Sequence, residues 1–326
     1  MSSVAAVPHA LVEEDVPHQK AKPPRVVRRR PGARRAARRE AVFGYAMIGL
    51  AMLFVTVFTF LPILASLGLS FFDWDVISPP KWAGLANYQR FFSDGPVLQS
   101  FGVTICMAIA IVVLQLSLGL FLAVLVNQRT STFGRTFFRT TFYLPLLAST
   151  AAVSIFMGYL FDAKFGAINY YLGLLGIPGV PWLTSPFGAQ VTIVLIVVWQ
   201  QVGFTFVLFV SALMSVPVDV LEAASIDGAG PLRTLFRIKI PLISPTILFA
   251  AVIALINAMQ LFDQPYIMTK GGPGTATTTA TISMYQTGFQ NLQFGYSSAI
   301  AIVLLLLILA ITGIQFLASR KLVFYQ

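Results

Sequence analysis

The sequence predicts an all-α, polytopic membrane protein with six transmembrane helices. Three observations carry that expectation. Hydrophobic residues make up 57% of the 326-residue chain and charged residues only 10%, against about 25% charged in a soluble domain. Too little charge is present to cover a water-facing surface of normal size, and mean hydropathy is +0.80. The chain also contains six apolar runs, each near the ~20 residues that a membrane helix needs. Finally, Lys and Arg concentrate in alternate loops, as the positive-inside rule expects.

The first 40 residues carry ten basic side chains and four acids. This segment reads as a disordered basic tail, 1–40, lying on anionic lipid headgroups. It lacks the interleaved aromatics that stack nucleic-acid bases, so no nucleic-acid partner is expected. Its charged region is too long for a cleaved signal peptide, and a full span follows it.

The six-helix domain then covers 41–326. Its spans fall at about 42–70, 101–126, 140–161, 189–214, 243–262 and 297–318. Each is a continuous apolar run without period-two alternation, which argues for helices rather than barrel strands. Pro145 and Pro245 are expected near helix starts, where a missing N–H costs little. With the N-terminus inside, the inner segments hold 18 basic residues and the outer segments 4. Without the tail the balance is still 8 against 4. Both termini are therefore expected to be cytoplasmic. The outer segments 71–100 and 263–296 mix aromatics with Gly, Pro and polar residues. Their Trp74, Trp82, Tyr88 and Tyr285 suit a membrane-interface belt, and loops of this length could equally receive a partner protein.

The inner loop 215–245 differs from its surroundings. Ser215 is expected to cap a short helix with Pro217 in its first turn. Asp219 and Glu222 lie where the helix dipole favours anions. Ala223 and Ala224 offer a small face that another surface can approach. Gly228 or Gly230 is expected at positive φ. A second helix from about Leu232 to Ile240 would set Arg233 and Arg237 four residues apart on one face, and Pro241 is expected to stop it. A short, bent, charged element of this kind suits a groove on a cytoplasmic partner.

Glu222-Ala223-Ala224-x-x-Asp227-Gly228-Ala229, followed by Phe236, Ile238, Ile240-Pro241 and Pro245, resembles the EAA loop of ATP-binding cassette (ABC) importer permeases. The segments Trp82-x-Gly84-Leu85-x-Asn87-Tyr88, Phe262-Asp263-x-x-Tyr266-x-x-Thr269-x-Gly271-Gly272-Pro273 and Gly295-Tyr296-x-x-Ala299 are similar to signatures of the sugar permeases of that class. Together the likeness covers about 42–326; the tail has no counterpart in it. It implies a type I ABC importer permease fold. It also implies a multi-pass permease in the bacterial cell membrane, with a second related permease subunit, two ATPase subunits and an extracytoplasmic solute-binding protein as partners. By the same likeness, Glu222, Ala223, Ala224, Asp227, Gly228, Arg237 and Pro241 couple to the ATPase. Asp263, Tyr266, Thr269, Gly271, Gly272 and Pro273 form the outer-segment motif.

The chain has no GxxxxGK[ST] phosphate loop, so ATP and Mg are expected on the partner ATPase and no cofactor on this chain. Its only cysteine is Cys106 and its only histidines are His9 and His18, which leaves no spacing for a metal or a disulfide framework and no catalytic constellation.

A sugar needs hydrogen-bonding groups for its hydroxyls and flat apolar faces for its C–H surfaces. Polar side chains within a span face a partner or a water-filled path. Gln200, Gln201 and Phe204 in the fourth span, with Asn257 and Gln260 in the fifth, are assigned to the substrate path. The competing reading has these amides gluing helices together, and Gln115 is assigned to that role. The motifs are shared by importers of mono- and oligosaccharides, polyols and glycerol phosphate; no basic residue lies within the spans, which favours a neutral sugar, with a polyol or glycerol phosphate as the alternative. A secondary transporter would carry acids within its spans, where only the boundary residue Asp263 is found. A channel would want a ring of pore-lining carbonyls or charges.

Overall fold

The computed structural model describes residues 33–129 and 132–322. The chain forms two compact units, Met1–Phe60 and Leu61–Gln326. In the first, the described part is helix α1 (Ala33–Val55) and a π turn, Thr56–Phe60. Residues 1–32 of the basic tail lie outside the described residues. Helix starts at Ala33, inside the segment assigned to a disordered tail, because ARRAARRE is built from strong helix formers.

In the second unit, α2 (Leu61–Leu69) leads through a two-strand hairpin, β1 (Phe72–Asp73) and β2 (Lys81–Trp82), into α3 (Ala86–Ser93). There follow α4 (Gly95–Arg129), α5 (Thr132–Leu147), α6 (Thr150–Leu160), α7 (Ala167–Leu174) and α8 (Pro186–Met214). The loop region holds α9 (Val218–Ile226), α10 (Pro231–Thr234), a π turn (Leu235–Lys239) and α11 (Ile240–Leu242). The chain ends with α12 (Ser244–Met259), α13 (Asp263–Thr269), α14 (Ala280–Tyr285), a third π turn (Gln286–Gln290) and α15 (Phe294–Leu322).

Helix α8 is the axis of this unit. Of its most apolar stretch 67% is buried, against 33% or less for the other membrane-length helices. Two apolar clusters pack along it. One joins Ile193 and Val197 to Met107, Ile111, Met259 and Ile300. The other joins Phe206, Phe209 and Val210 to Ala123, Val126 and Ala250. Two glycines permit the close crossings. A Cβ on Gly119 would overlap Thr205, and one on Gly203 would overlap the Phe142 carbonyl. Small residues at such crossings let backbones approach.

Among the described residues, five helical runs are long and apolar enough to cross a membrane, and six if the bent pair Thr136–Leu147 and Thr150–Leu160 is one span. The third span is thus not the single helix expected over 140–161: its halves diverge by 93°. Nor does Pro145 start a helix; it lies inside α5, near its end. Its ring removes a donor and crowds the preceding turn. The helix stops two residues later, and Ser149 is extended (φ −56°, ψ 126°) before α6 begins.

The loop between α8 and α12 departs from expectation in two places. Ser215 closes α8 rather than opening α9: its Oγ donates to the Ala212 carbonyl at 2.8 Å. Pro217, extended, takes the cap position of α9. Pro241 does not stop the second helix. It sits in the first turn of α11, directly after the π turn Leu235–Lys239. The wider turn accommodates the proline that an α turn would reject. The chain bends instead at Ile243 (φ −91°, ψ 6°).

Candidate functional site

A polar cleft of about 270 Å³ opens between α4, α8 and α12. Gln201, Asn257 and Gln260, assigned to the substrate path from sequence, line it together. Asn257, in the last turn of α12, and Gln260, which caps that helix, are both exposed, while Ala254 and Ala258 beside them are buried. Gln115, Thr150, Asp263 and Gln264 complete the polar lining, with Ile111, Val197 and Phe262 as apolar walls. Amides, a hydroxyl, one carboxylate and flat hydrocarbon suit a polyhydroxylated ligand. Among these lining residues there is no Lys or Arg.

The other two sequence candidates do not sit in this lining. Phe204 faces an apolar groove between α5 and α8. Gln200 is buried and tied on both sides. Its Nε2 donates to the Ala148 carbonyl at 3.3 Å, and its Oε1 accepts from Gln264 Nε2 at 3.2 Å. Ala148 is the residue at the break of the third span, so Gln200 satisfies a carbonyl that the break leaves unpaired in the interior. Gln115 does pack between helices, donating to the Gln201 carbonyl at 3.3 Å, and it also lines the cleft. Thr150 and Gln264 were missed. Thr150 reaches the cleft only because the span breaks beside it. Gln264 lies just beyond the drawn end of the fifth span, within the Phe262–Pro273 motif.

That motif folds as a self-braced turn. Thr269 Oγ1 donates to the Pro265 carbonyl at 2.7 Å and shares a 2.7 Å hydrogen bond with Thr277 Oγ1. Thr277 Oγ1 also lies 2.8 Å from the Gly272 carbonyl. Gly271 has φ +89°, and a Cβ there would crowd Thr278 Oγ1 at 2.6 Å. The peptide between Gly272 and Pro273 is cis. Tyr266 stacks on Phe262 at 4.9 Å between ring centroids, and Lys270 Nζ lies 4.4 Å above its ring. Asp263 opens α13 and turns toward the cleft. Away from this turn, buried Asn87 braces the β1–β2 hairpin, donating to the carbonyls of Ser70 and Phe72 at 2.9 Å. Gly295 lets Phe72 approach α15, since a Cβ would overlap the Phe72 carbonyl.

At the end of the unit where α8 stops, the loop presents a small exposed surface. Glu222, Ala223, Asp227, Gly228 and Arg237 are exposed, whereas Ala224 is 6% exposed and anchors α9. Pro241 is half-buried. Helix α9 ends in a Schellman motif. Ala229 N–H donates to the Ala224 carbonyl at 2.9 Å and Gly228 N–H to the Ser225 carbonyl at 3.1 Å. Gly228 takes the left-handed position at φ +72°; Gly230, at φ −65°, does not. Ile226, Leu232 and Phe236 are 86%, 70% and 63% exposed around these charges.

Residues 115–323 match the profile of the binding-protein-dependent transport system inner membrane component family. The chain belongs to that family, and is a multi-pass inner-membrane permease of the type I ABC importer fold. Among particular relatives, it is 36% identical over 297 residues to the probable ABC transporter permease protein YesP of Bacillus subtilis, covering 90% of this chain and 95% of that one. It is 33% identical over 284 residues to the trehalose/maltose transport system permease protein MalF of Thermococcus litoralis, covering 86% and 95%. In fold it resembles a chain of a bacterial alginate ABC transporter solved with an alginate pentasaccharide-bound periplasmic protein. That match has a TM-score of 0.76 and 22% identity, over 89% of this chain and 98% of that one. Family membership sets aside the secondary-transporter and channel readings.

Proposed function

We propose that this chain is one of two permease subunits of an ATP-driven importer and forms part of the path for a neutral sugar. The observation that carries the reading is the polar cleft, where Gln201, Asn257 and Gln260 from two helices meet Asp263 from the outer-segment motif. Relatives named for trehalose/maltose, lactose and multiple-sugar transport support a sugar. Its lining has no cation to neutralise a phosphate, which favours a neutral sugar over glycerol phosphate.

The excess of basic residues on the loop side supports a cytoplasmic location for α9–α11 and both termini. There Glu222, Ala223, Asp227, Gly228 and Arg237 dock on an ATPase subunit. Two such subunits bind the ATP and Mg; this chain performs no chemistry. Closure of the ATPase pair displaces the loop and, through α8 and α12, the cleft. Sugar arrives from an extracytoplasmic solute-binding protein seated on the opposite face, where the Phe262–Pro273 turn is braced. A related permease completes the path.

Co-purification from membranes, followed by uptake into proteoliposomes, tests this reading. A six-span partner, an ATPase and uptake of a neutral sugar are expected. An isolated chain that moves solute without ATP would overturn it.

A further inference from the structure

Apart from the polar cleft, a second depression of about 430 Å³ runs between α5 and α8, and its chemistry is opposite. Its walls are Tyr143, Leu144 and Leu147 from α5, with Phe204 and Leu208 from α8. Leu144 and Leu147 are 63% and 69% exposed. One end holds a charge: Arg139, whose Nη2 has only the soft Met214 Sδ at 3.2 Å. Its Nε is buried with no hydrogen-bond partner among the described residues. A guanidinium stays charged at any physiological pH and presents a fork suited to phosphate.

Arg139 immediately precedes the apolar run 140–161 and lies against the end of α8 that leads into the charged loop. With the loop on the cytoplasmic side, as proposed above, Arg139 near the start of the third span lies at headgroup depth, and the groove runs from it along hydrocarbon. The sugar is a poor occupant, because only Thr140 and Tyr143 offer hydroxyls there.

We infer that the α5–α8 groove binds one anionic glycerophospholipid, with its phosphate on Arg139 and an acyl chain along Leu144, Leu147 and Phe204. Charge complementarity selects the occupant: an apolar channel ending in a cation with no carboxylate partner among the described residues matches a lipid with a negative headgroup, not a zwitterionic one. The site is distinct from the sugar path and does not rest on which solute is carried.

Native mass spectrometry of the assembled transporter, released from nanodiscs of mixed phosphatidylglycerol and phosphatidylcholine, tests this. Wild type should retain one phosphatidylglycerol per copy of this chain, in preference to phosphatidylcholine. Arg139→Gln should lower retention by about fivefold, the factor expected for one basic residue at an anionic surface. Leu144→Trp, at an exposed position that tolerates bulk, should block the groove while the subunits stay assembled. Equal retention of the two lipids, or no response to either variant, would overturn the proposal. So would capture of the second permease by a photo-crosslinker placed at Leu147, since the groove would then be a subunit interface.

Discussion

The α9–α11 loop and the polar cleft are both polar interruptions of an apolar chain, yet they are built in opposite ways. The loop is local. Its shape comes from Pro217, Gly228 and Pro241 within 25 residues, and its hydrogen bonds join near neighbours such as Ala229 and Ala224. The cleft is assembled from α4, α6, α8, α12 and α13, and its ties run between distant residues such as Gln264 and Gln200. A local device keeps its shape while it moves as one body, which suits transmitted force. A device assembled from several helices changes shape whenever those helices move, which suits a site that must open and close.

The comparison breaks most easily at the loop. Gly228→Pro cannot adopt φ +72° and should abolish sugar-stimulated ATP hydrolysis while the chain still inserts. Glu222→Ala should do the same with the loop's shape intact, as read by co-purification and ATPase assay. Preserved stimulation in both would remove the loop from the coupling path. Gln200→Leu is expected to lower the thermal unfolding temperature of the complex. It leaves the Ala148 carbonyl and Gln264 Nε2 unpaired, at about 1–3 kcal/mol for each orphaned group.

Cleft truncations should be milder and of a different kind. Asn257→Ala or Gln260→Ala removes about 1 kcal/mol of hydrogen bonding. Each should raise the transport KM by roughly fivefold while basal ATP hydrolysis is unchanged. A fall in basal hydrolysis instead would mean that these amides hold helices together.

The smallest effect lies in the β1–β2 hairpin, in the segment proposed to be extracytoplasmic. Hydrogen bonds from the Ser78 N–H and hydroxyl, and then from the Ile77 N–H, hold the exposed Asp75 carboxyl below its ordinary value. A depressed carboxylate stabilises above its unfolded value, about 4, and that stabilisation fades as pH falls through the folded one. Amide exchange at Ile77 and Ser78 should therefore lose protection on acidification below about pH 4, and Asp75→Asn should abolish that dependence.

How much could be read in advance follows the same division. Apolar length gave the spans, and local turn chemistry gave a bend at Gly228 or Gly230, which the structure resolves to Gly228. The 93° break was not legible, because hydropathy over 140–161 is the same for a straight helix and a broken one. Thr150 was invisible for that reason. Phe204, three residues after Gln201, shared its helix face on paper. One turn nearer the loop, however, it faces α5 instead of the cleft. Ser215 could cap either of two abutting helices, and only the position of α8's last turn decides.

The central claim is that ATP-driven motion reaches the cleft through α9–α11. Its most direct test is ATP hydrolysis in proteoliposomes holding the complete transporter, titrated with sugar-loaded binding protein. The wild type should show saturable stimulation and Gly228→Pro a flat line at the basal rate. Normal stimulation and uptake by Gly228→Pro would contradict the claim.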